Sequence, residues 1–522
     1  MSRRKLALVL FGCLVVLLLQ FRASQDVDLF WQVKLGQLVL QQDELIRSDP
    51  FTSTHGGEPV PPIAWLSQVF YALVHRAGSW RLLHQVNALV FAGGLLFASL
   101  TVRGRDSSTL AGILGLSLGV LVAAPHCEIR PHTLAMFCFA LFLLVAEAEL
   151  RAWRKLALAG TILILWQNMH PSVLVGAVTI GARAGAGWLR CLRDYRAARP
   201  WWPTALALLA ALSTVATPLG PGIFESSRLN GEISRELGIS EWMSLWHPAA
   251  WQAGGWIVWL ALGVSLALLV RVRRLVCLED LATFVVLGGL SLSIYRLSLF
   301  LAAAMVPVWT RWIQLGLISE PFGTLGWPGS TGTDGAGHQP KVGPEARSRW
   351  SASPRTAAAG GGLRPTTSHP AGQQNVERVR PWLAASIAAG ALCCALSVPR
   401  LLHWRLFDEQ LPLGAAQRMR EMGVRGVIYN YREWGGPLIW EGYPEWKVTI
   451  DGRLYLFTRQ EWYRYQQIAL GRVPVAEVER LYRPDAFFLR PSYHDRFVRL
   501  LRESNNWREA YADRNAIVFV RR

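Results

Sequence analysis

Residues 6–21 of the chain, LALVLFGCLVVLLLQF, form an apolar run directly behind a basic start at residues 1–5. Further candidate membrane spans follow near residues 86–102, 109–125, 133–149, 156–169, 172–189, 203–219, 256–270, 281–295, 298–313 and 383–398. A helix needs about 20 mostly apolar residues to cross a bilayer. The 522 residues are 52% hydrophobic and only 17% charged, unlike those of a soluble protein. The sequence therefore predicts an α-helical polytopic membrane protein with about eleven spans and a small C-terminal α/β domain.

The first run has the length of a signal peptide, but a retained span is favoured because the segments behind it need a partner to pack against. Basic residues then fall in alternate loops: Arg103 and Arg105; Arg151, Arg154 and Lys155; Arg190, Arg193, Arg196 and Arg199; and Arg271, Arg273 and Arg274. Cytoplasmic loops carry the excess of Lys and Arg, so these loops and the N-terminus are expected in the cytoplasm, as in an inner-membrane protein. The net charge of +18 reflects this loop bias, and no nucleic-acid partner is expected.

The chain divides into four parts. Residues 1–319 are the bundle with a long first external loop at 22–85, 320–380 are a Gly-, Pro- and Ser-rich basic linker, 381–399 hold the last span, and 400–522 are an external α/β domain. The linker composition predicts disorder in the cytoplasm. Strands are expected near 426–431, 446–450, 486–489 and 516–520. In the first loop, the amphipathic stretches 29–40 and 65–74 suit helices that lie in the membrane interface.

Two carboxylates, Asp26 and Asp28, follow the first span. If the backbone bends between them, they can share a divalent cation such as Mg²⁺ or Mn²⁺, because both ions prefer oxygen ligands. One of them can instead act as a general base that takes a proton from an acceptor hydroxyl. The alternative without chemistry is that acidic residues commonly follow a span on its external side.

The short loop 126–132, HCEIRPH, holds Glu128, Arg130 and His132. Charges beside apolar spans are costly unless they pair or face a polar cavity. Glu128 can join the aspartates around a metal, and Arg130 can hold a phosphate through two hydrogen bonds. A pairing of Glu128 with Arg130 without any chemistry is the equal alternative.

Three more polar positions lie in the predicted external loops. Arg296 stands between two apolar runs, where a lone arginine is expected to bind an anion, whether a protein carboxylate, a lipid phosphate or a substrate phosphate. Glu241, beside Trp242, can hold a sugar whose apolar face stacks on the indole, or it can lie on a surface helix. His170 can bind a sugar, although a polar turn residue is the commoner role of a single histidine.

Several short motifs are spread over most of the chain outside the linker. They are DVDLFWQVKLG at 26–36, SDPFT at 48–52, AWLS at 64–67, RPH at 130–132, NMH at 168–170, EW at 241–242, GG at 435–436 and IDGR at 450–453. In these motifs the chain resembles a family of bacterial multi-spanning proteins related to the C-type glycosyltransferase superfamily. The resemblance implies an enzyme that takes a sugar from a polyprenyl-phosphate carrier at the external membrane face. It also implies an acidic motif in the first external loop for metal binding and catalysis.

Asp26 and Asp28 match that acidic motif, and Glu128 is the candidate for the family's second acidic position. Lys34 lies in the same motif and is expected to bind substrate, whereas Gln32 stands where relatives often carry His. The implied activity is an analogy of fold and motif.

The function expected from residues and resemblance together is an inverting hexosyl- or pentosyltransferase with an unidentified acceptor. Asp26 would be the base, Asp28 and Glu128 would hold the divalent ion, and Arg130 or Arg296 would neutralise the leaving phosphate. His132, His170, Glu241 and Lys34 complete the expected substrate contacts, and the partners are a lipid-linked sugar donor and membrane lipids. A non-catalytic membrane scaffold or anchor for the C-terminal domain is the alternative. A transporter ranks lower, because no span shows a charged centre and the two halves show no repeat.

Overall fold

The computed structural model describes residues 3–20, 22–102, 108–318 and 405–522. The predicted linker at 320–380, the predicted last span at 381–399, and Arg103 and Arg105 lie outside these ranges. The helices of the N-terminal part are α1 Arg3–Gln20, α2 Asp28–Gln42, α3 Trp65–Leu100, α4 Thr109–Ala123, α5 Pro131–Glu147, α6 Ala152–Met169, α7 Val173–Arg193, α8 Trp201–Ser213, α9 Gly222–Glu236, α10 Trp256–Val272, α11 Leu278–Ser293 and α12 Ser298–Ile318. The described residues are thus mostly helical, as the apolar runs predict.

Four helical segments are long and apolar enough to cross a membrane. They are Trp65–Leu100, Thr109–His126, Pro248–Val272 and Tyr295–Leu317, and two shorter apolar helices lie at Pro131–Glu147 and Trp201–Ser213. The other helices at the predicted runs fall short in length or in apolar character. The structure therefore supports a membrane protein, but it does not support the predicted count of about eleven spans.

The bundle has a buried central helix and an apolar outer surface. α12 packs against α4, α11 and α3, and its residues from Leu299 to Trp309 are almost wholly enclosed. Leu114 and Leu121 of α4 and Leu260 and Leu266 of α10 project outward and are exposed. Apolar side chains spread over several helices in this way suit contact with lipid rather than with water.

The stretch predicted to lie in the interface at 65–74 is the first part of α3. This helix is broken by non-helical backbone at Gly78 and Ser79 and then continues through the predicted span at 86–102. Trp80, just after the break, packs against His75 and against Trp440 of the C-terminal part. Residues on both sides of the break, His75 and Trp80, therefore contact Trp440 of the C-terminal domain.

The C-terminal domain is a five-stranded α/β sandwich, which confirms a small sheet domain at the end of the chain. Its strands are β1 Gly426–Asn430, β2 Trp446–Val448, β3 Ala486–Leu489, β4 Trp507–Ala512 and β5 Ile517–Arg521, and its helices are α13 Leu413–Glu421, α14 Gly435–Gly442, α15 Arg459–Ala469, α16 Val475–Tyr482 and α17 Asp495–Glu503. The strand order is β2-β1-β3-β5-β4, with β1 parallel to β2 and β3 and with β5 antiparallel to β3 and β4. The sequence prediction found four of these strands and missed β4.

Alternate residues of the central strands enter two separate cores, because successive side chains on a strand point to opposite faces. Ile428 and Phe488 enter a core that also contains α13 and α14. Tyr429 and Phe487 enter the core on the other side, which contains α15, α16 and α17. The sheet is therefore covered by helices on both faces.

The first face has an additional cover from the other end of the chain. Leu35 and Leu38 of α2 are buried in the core of α13 and α14, while Leu29 and Val33 of α2 are buried against α3. The prediction that this stretch lies in the membrane interface is wrong for the folded chain, because protein covers it on both sides. An amphipathic pattern identifies an apolar face but does not identify what covers it.

The loop after α2 joins the sheet and is held there by buried charge. Thr52 forms a parallel bridge with Val448 of β2. The Arg453 guanidinium lies 2.7 Å from an oxygen of Asp49 and 2.6 Å from an oxygen of Asp451, and all three side chains are at most 1% exposed. We call these three residues the buried triad. It attaches the first loop to the C-terminal domain.

Candidate functional site

The predicted acidic motif lies at the start of α2. The backbone bends between Asp26 and Asp28, as it must if the two carboxylates are to share one site. Asp26 is buried, and its Oδ1 accepts a hydrogen bond from the backbone N–H of Asp28 at 2.9 Å. The other oxygen, Oδ2, accepts from Nε of Arg130 at 2.9 Å. Both oxygens of Asp26 therefore already have partners, and this side chain fixes the turn and the arginine.

Asp28 differs from Asp26 because the residue is only partly buried. Its Oδ1 accepts a hydrogen bond from the indole N–H of Trp31 at 2.9 Å. Burial raises the pKa of Asp28 to about 7, the nearby Asp26 charge adds to the rise, and Arg130 opposes it. A carboxyl with a pKa near neutrality can exist in both protonation states, as a general base requires.

The C-terminal domain forms one wall around this motif. A Cβ atom on Gly452 would lie 1.9 Å from Oδ1 of Asp28, and a Cβ on Gly436 would lie 2.0 Å from the carbonyl oxygen of Val27. Both glycines are needed for this close approach, since any side chain would collide. The GG and IDGR motifs of the C-terminal domain are therefore contact points with the acidic motif.

Arg130 links the acidic motif to the loop before α10. Its Nη1 donates to Oε1 of Glu241 at 2.6 Å, while its Nε holds Asp26, and about a quarter of its side chain stays exposed. Burial acts to raise the pKa of Glu241, but the guanidiniums of Arg130 and Arg296 outweigh it and hold that pKa well below its usual range. The pairing of Arg130 with Glu128, which was the alternative without chemistry, is not formed, because the carboxylate partners of Arg130 are Asp26 and Glu241.

Arg296 is held by neutral groups instead of carboxylates. Its Nη2 lies 3.2 Å from Nδ1 of His132 and 3.4 Å from Nε2 of His170. Arginine can only donate, so both imidazoles accept with a lone pair and are neutral. Nε2 of His132 then carries the proton that it donates to the carbonyl of His126, at 2.9 Å. The guanidinium also lies over the ring of Trp242, 5.6 Å from its centroid.

No carboxylate of the described part of the chain lies within ion-pair distance of Arg296, and its nearest negative influence is the charge of Glu241. Its Nε is enclosed and has no hydrogen-bond partner among these residues. Glu241 and Trp242, in one short turn, hold Arg130 and Arg296 respectively. We call this region the charged site. Its partly accessible layer is formed by Asp28, Arg130, Glu241 and Arg296.

No protein-family model matches this chain, and no curated protein matches it. The charged site therefore has to be interpreted from its own geometry.

Two predicted site residues lie apart from this layer. Glu128 pairs with Arg22 at 3.1 Å and accepts from the Ser24 hydroxyl at 3.0 Å, so it faces the beginning of the first loop. Lys34 lies with its Nζ 4.8 Å from the ring centroid of Trp440, on the side of α2 that contacts the C-terminal domain. Neither contacts Asp28 or Arg296 directly.

The donor set offers little to a metal ion. Among residues 3–20, 22–102, 108–318 and 405–522, no three His, Cys, Asp or Glu side chains are grouped closely enough to hold one. Each oxygen of Asp26 already accepts a hydrogen bond, and Mg²⁺ is usually held by one or two carboxylates together with waters and substrate phosphates. The shared divalent ion stays a prediction, and no chemical step is assigned to it.

Sequence reasoning missed several residues that shape the site. Trp31 binds Asp28, Arg22 pairs with Glu128, and Asp49 with Arg453 attaches the first loop to the domain behind it. Asp49 and Arg453 lie in the SDPFT and IDGR motifs, so their positions were marked although no role followed from them. Pairing across hundreds of residues cannot be seen in one sequence.

Proposed function

We propose that this chain is a membrane glycosyltransferase of the C-type, which moves a sugar from a polyprenyl-phosphate donor to an acceptor hydroxyl at the external face of a bacterial inner membrane. The observation that carries the proposal is one site in which the partly buried Asp28, with its pKa raised to about 7, lies with Arg296, which has no carboxylate within ion-pair distance among the described residues. The first suits a base, and the second suits a phosphate. Transfer of a sugar from a lipid phosphate needs both.

The proposed reaction is a single displacement. The acceptor hydroxyl oxygen attacks the anomeric carbon and forms the new glycosidic bond, while the bond from that carbon to the phosphate oxygen breaks. The hydroxyl proton passes to Asp28, and the electron pair of the broken bond leaves with the lipid phosphate. The predicted base was Asp26, but Asp28 suits this role better because both oxygens of Asp26 are engaged.

The arginines have different tasks in this scheme. Arg296, held by His132, His170 and Trp242 and without a direct ion pair among the described residues, would offer its guanidinium to the phosphate as the negative charge grows. Preorganised donors of this kind stabilise developing charge in a low-dielectric site. Arg130 already has two carboxylate partners, and it is therefore a positioning residue for Asp26 and Glu241.

A cavity near the charged site suits the isoprenoid chain of such a donor. It has a volume of about 510 Å³, and its lining combines Arg47, Pro61, Leu229 and Tyr455 with similar apolar neighbours. Burial raises the pKa of Tyr455 to about 12, and nearby carboxylates that include Asp28 contribute to the rise. Tyr455 follows Gly452, which touches Asp28, by three residues, so the cavity lies close to the acidic motif.

The finer membrane topology belongs to the same proposal. We infer that the other helices at the predicted runs also cross or enter the bilayer, since α6, α7 and α8 carry exposed leucines such as Leu165, Leu174 and Leu212. The charged site and the C-terminal domain would then lie on the external side, opposite the basic loops.

The test uses the purified full-length protein in lipid nanodiscs with a panel of polyprenyl-phosphate sugars and mixed acceptors, with lipid phosphate release measured by mass spectrometry. Asp28→Asn should lower turnover by about 10²- to 10⁴-fold, because a general base contributes that much. Asp43→Asn is the matched control, since Asp43 is exposed at the other end of α2. Its turnover should equal that of the wild type.

Equal turnover of Asp28→Asn and the wild type would remove Asp28 from the mechanism. The protein would be a scaffold and not an enzyme under two conditions together: no donor of the panel is turned over, and Asp28→Asn behaves in cells as the wild type does.

A further inference from the structure

The sheet of the C-terminal domain has a point where its connections leave in opposite directions. β1 lies between β2 and β3 and is parallel to both. The connection from β1 to β2 is α14, which packs in the core on one face, and the connection from β2 to β3 contains α15 and α16, which pack on the other. In open α/β sheets, ligands bind outside the carboxyl ends of the strands at such a switch point.

Aromatic rings and arginines meet at this point. β1 ends at Asn430 and is followed by Tyr431, and β3 ends at Leu489 and is followed by Arg490. The rings of Tyr431 and Tyr493 lie 5.2 Å apart, and the Arg490 guanidinium lies 5.7 Å from the centroid of Tyr431. Tyr493 is 40% exposed, so part of its ring is open to a ligand. We call this group the switch-point crevice.

The crevice carries a net positive charge. Arg432 pairs with the neighbouring Glu433 at 3.2 Å. Arg490, by contrast, has no Asp or Glu within ion-pair distance in the part of the chain that the structure describes. Arg490 lies over Tyr431, and the exposed ring of Tyr493 packs against the same tyrosine. This arrangement suits a ligand that has an apolar ring face and an anionic group.

The crevice also lies on the edge of the sheet that meets the acidic motif. The chain leaves β2 at this carboxyl edge and reaches Gly452, which touches Asp28. It leaves β1 at the same edge and reaches Gly436, which touches Val27. A molecule bound in the crevice is therefore on the side of the domain that faces the charged site.

We propose that the switch-point crevice binds an anionic saccharide, whose carboxylate or phosphate pairs with Arg490 and whose sugar ring stacks on Tyr493. As a binding site it stands on these contacts alone. Its role as the acceptor site rests on the proposed transfer of a sugar to a hydroxyl near Asp28.

The experiment measures binding to the full-length protein in nanodiscs by calorimetry, with no lipid donor present. The probes are the tetrasaccharide of galacturonic acid, glucose 1-phosphate and neutral maltotetraose. One or both anionic probes should bind, and maltotetraose should bind at least about tenfold more weakly, because a hydrogen bond to a charged group is worth roughly that factor. The two anionic probes distinguish a carboxylate from a phosphate.

Arg490→Gln and Tyr493→Ala should each weaken the anionic probe by about tenfold or more. Arg508→Gln is the control, because Arg508 is exposed on β4 at the far edge of the sheet. Binding that is absent, that is equally strong for maltotetraose, or that is unchanged in Arg490→Gln would overturn the proposal. Binding of the expected kind without any sugar transfer would leave the crevice standing and remove only its role as acceptor site.

Discussion

Replacement of Arg453 by methionine tests whether the buried triad attaches the first loop to the C-terminal domain. The substitution keeps much of the side-chain volume and removes the charge, and it leaves the carboxylates of Asp49 and Asp451 fully buried without their cation. Removal of one partner from a buried ion pair costs about 3–5 kcal/mol. Asp49 keeps hydrogen bonds from the backbone N–H groups of Phe51 and Thr52, so we expect the lower end, about 3 kcal/mol.

The assay is urea unfolding of the purified chain in a mild detergent, followed by tryptophan fluorescence. Trp31, whose ring lies 5.9 Å from the Arg453 guanidinium, is one of the 24 tryptophans that contribute to this signal. Arg459→Met is the matched control: this guanidinium is 75% exposed and pairs with Glu236 on the surface, where such a pair is worth about 0–1 kcal/mol.

A second variant separates charge from packing. Asp49→Asn and Asp451→Asn combined with Arg453→Met remove all three charges, and this triple variant should regain most of the lost stability, since a buried charge cluster replaced by neutral groups is often neutral overall. The reasoning fails if Arg453→Met costs no more than the Arg459→Met control, or if the triple variant is the least stable of the three.

Three further outcomes are expected. Burial acts to lower the pKa of His55, but its hydrogen bonds to Glu58 and Glu461 outweigh it and raise that pKa above 6.5, so its stabilising contribution is complete below pH 6.5 and is lost as the pH rises through the raised value. Unfolding midpoints measured across this range should therefore fall more steeply in the wild type than in His55→Gln; parallel curves would contradict it. Gly436→Ala should destabilise the chain by about 1–3 kcal/mol through overpacking, whereas Gly414→Ala, where a Cβ has open space, should not, and thermal unfolding of both variants checks this. The protein should stay in the membrane pellet after alkaline carbonate extraction, and release into the supernatant would remove the membrane assignment.

The membrane class and the C-terminal sheet could be predicted because their signals are local. Apolar runs determine helices such as α10 and α12, and β-rich runs mark the strands at 426–430 and 486–489. β4, with the sequence WREAYA, was missed because most of its residues are polar or exposed and its only strong partner is β5. A strand at the edge of a sheet has one neighbour and needs fewer apolar side chains.

The site was predicted in its residues more than in its pairings. Asp26, Asp28, Arg130, Glu241 and Arg296 were all selected as rare charges in the predicted external loops, and the structure brings them together. Which of these residues pair with each other could not be predicted, because tertiary packing sets each partner. The roles of Asp26 and Asp28 could not be predicted either, because they depend on which carboxylate oxygens already accept hydrogen bonds in the folded chain.

The position of α2 inside the C-terminal sandwich has a consequence for biosynthesis. The ribosome delivers this helix hundreds of residues before the sheet that will cover it, so Leu35 and Leu38 are bare in the nascent chain. Before the sheet is made, the apolar side of α2 can be buried in the headgroup layer of the membrane. The helix would leave the headgroup layer only when the last strands emerge. A chain interrupted during translation would insert into the membrane, but the C-terminal domain would never pack against the motif around Asp28.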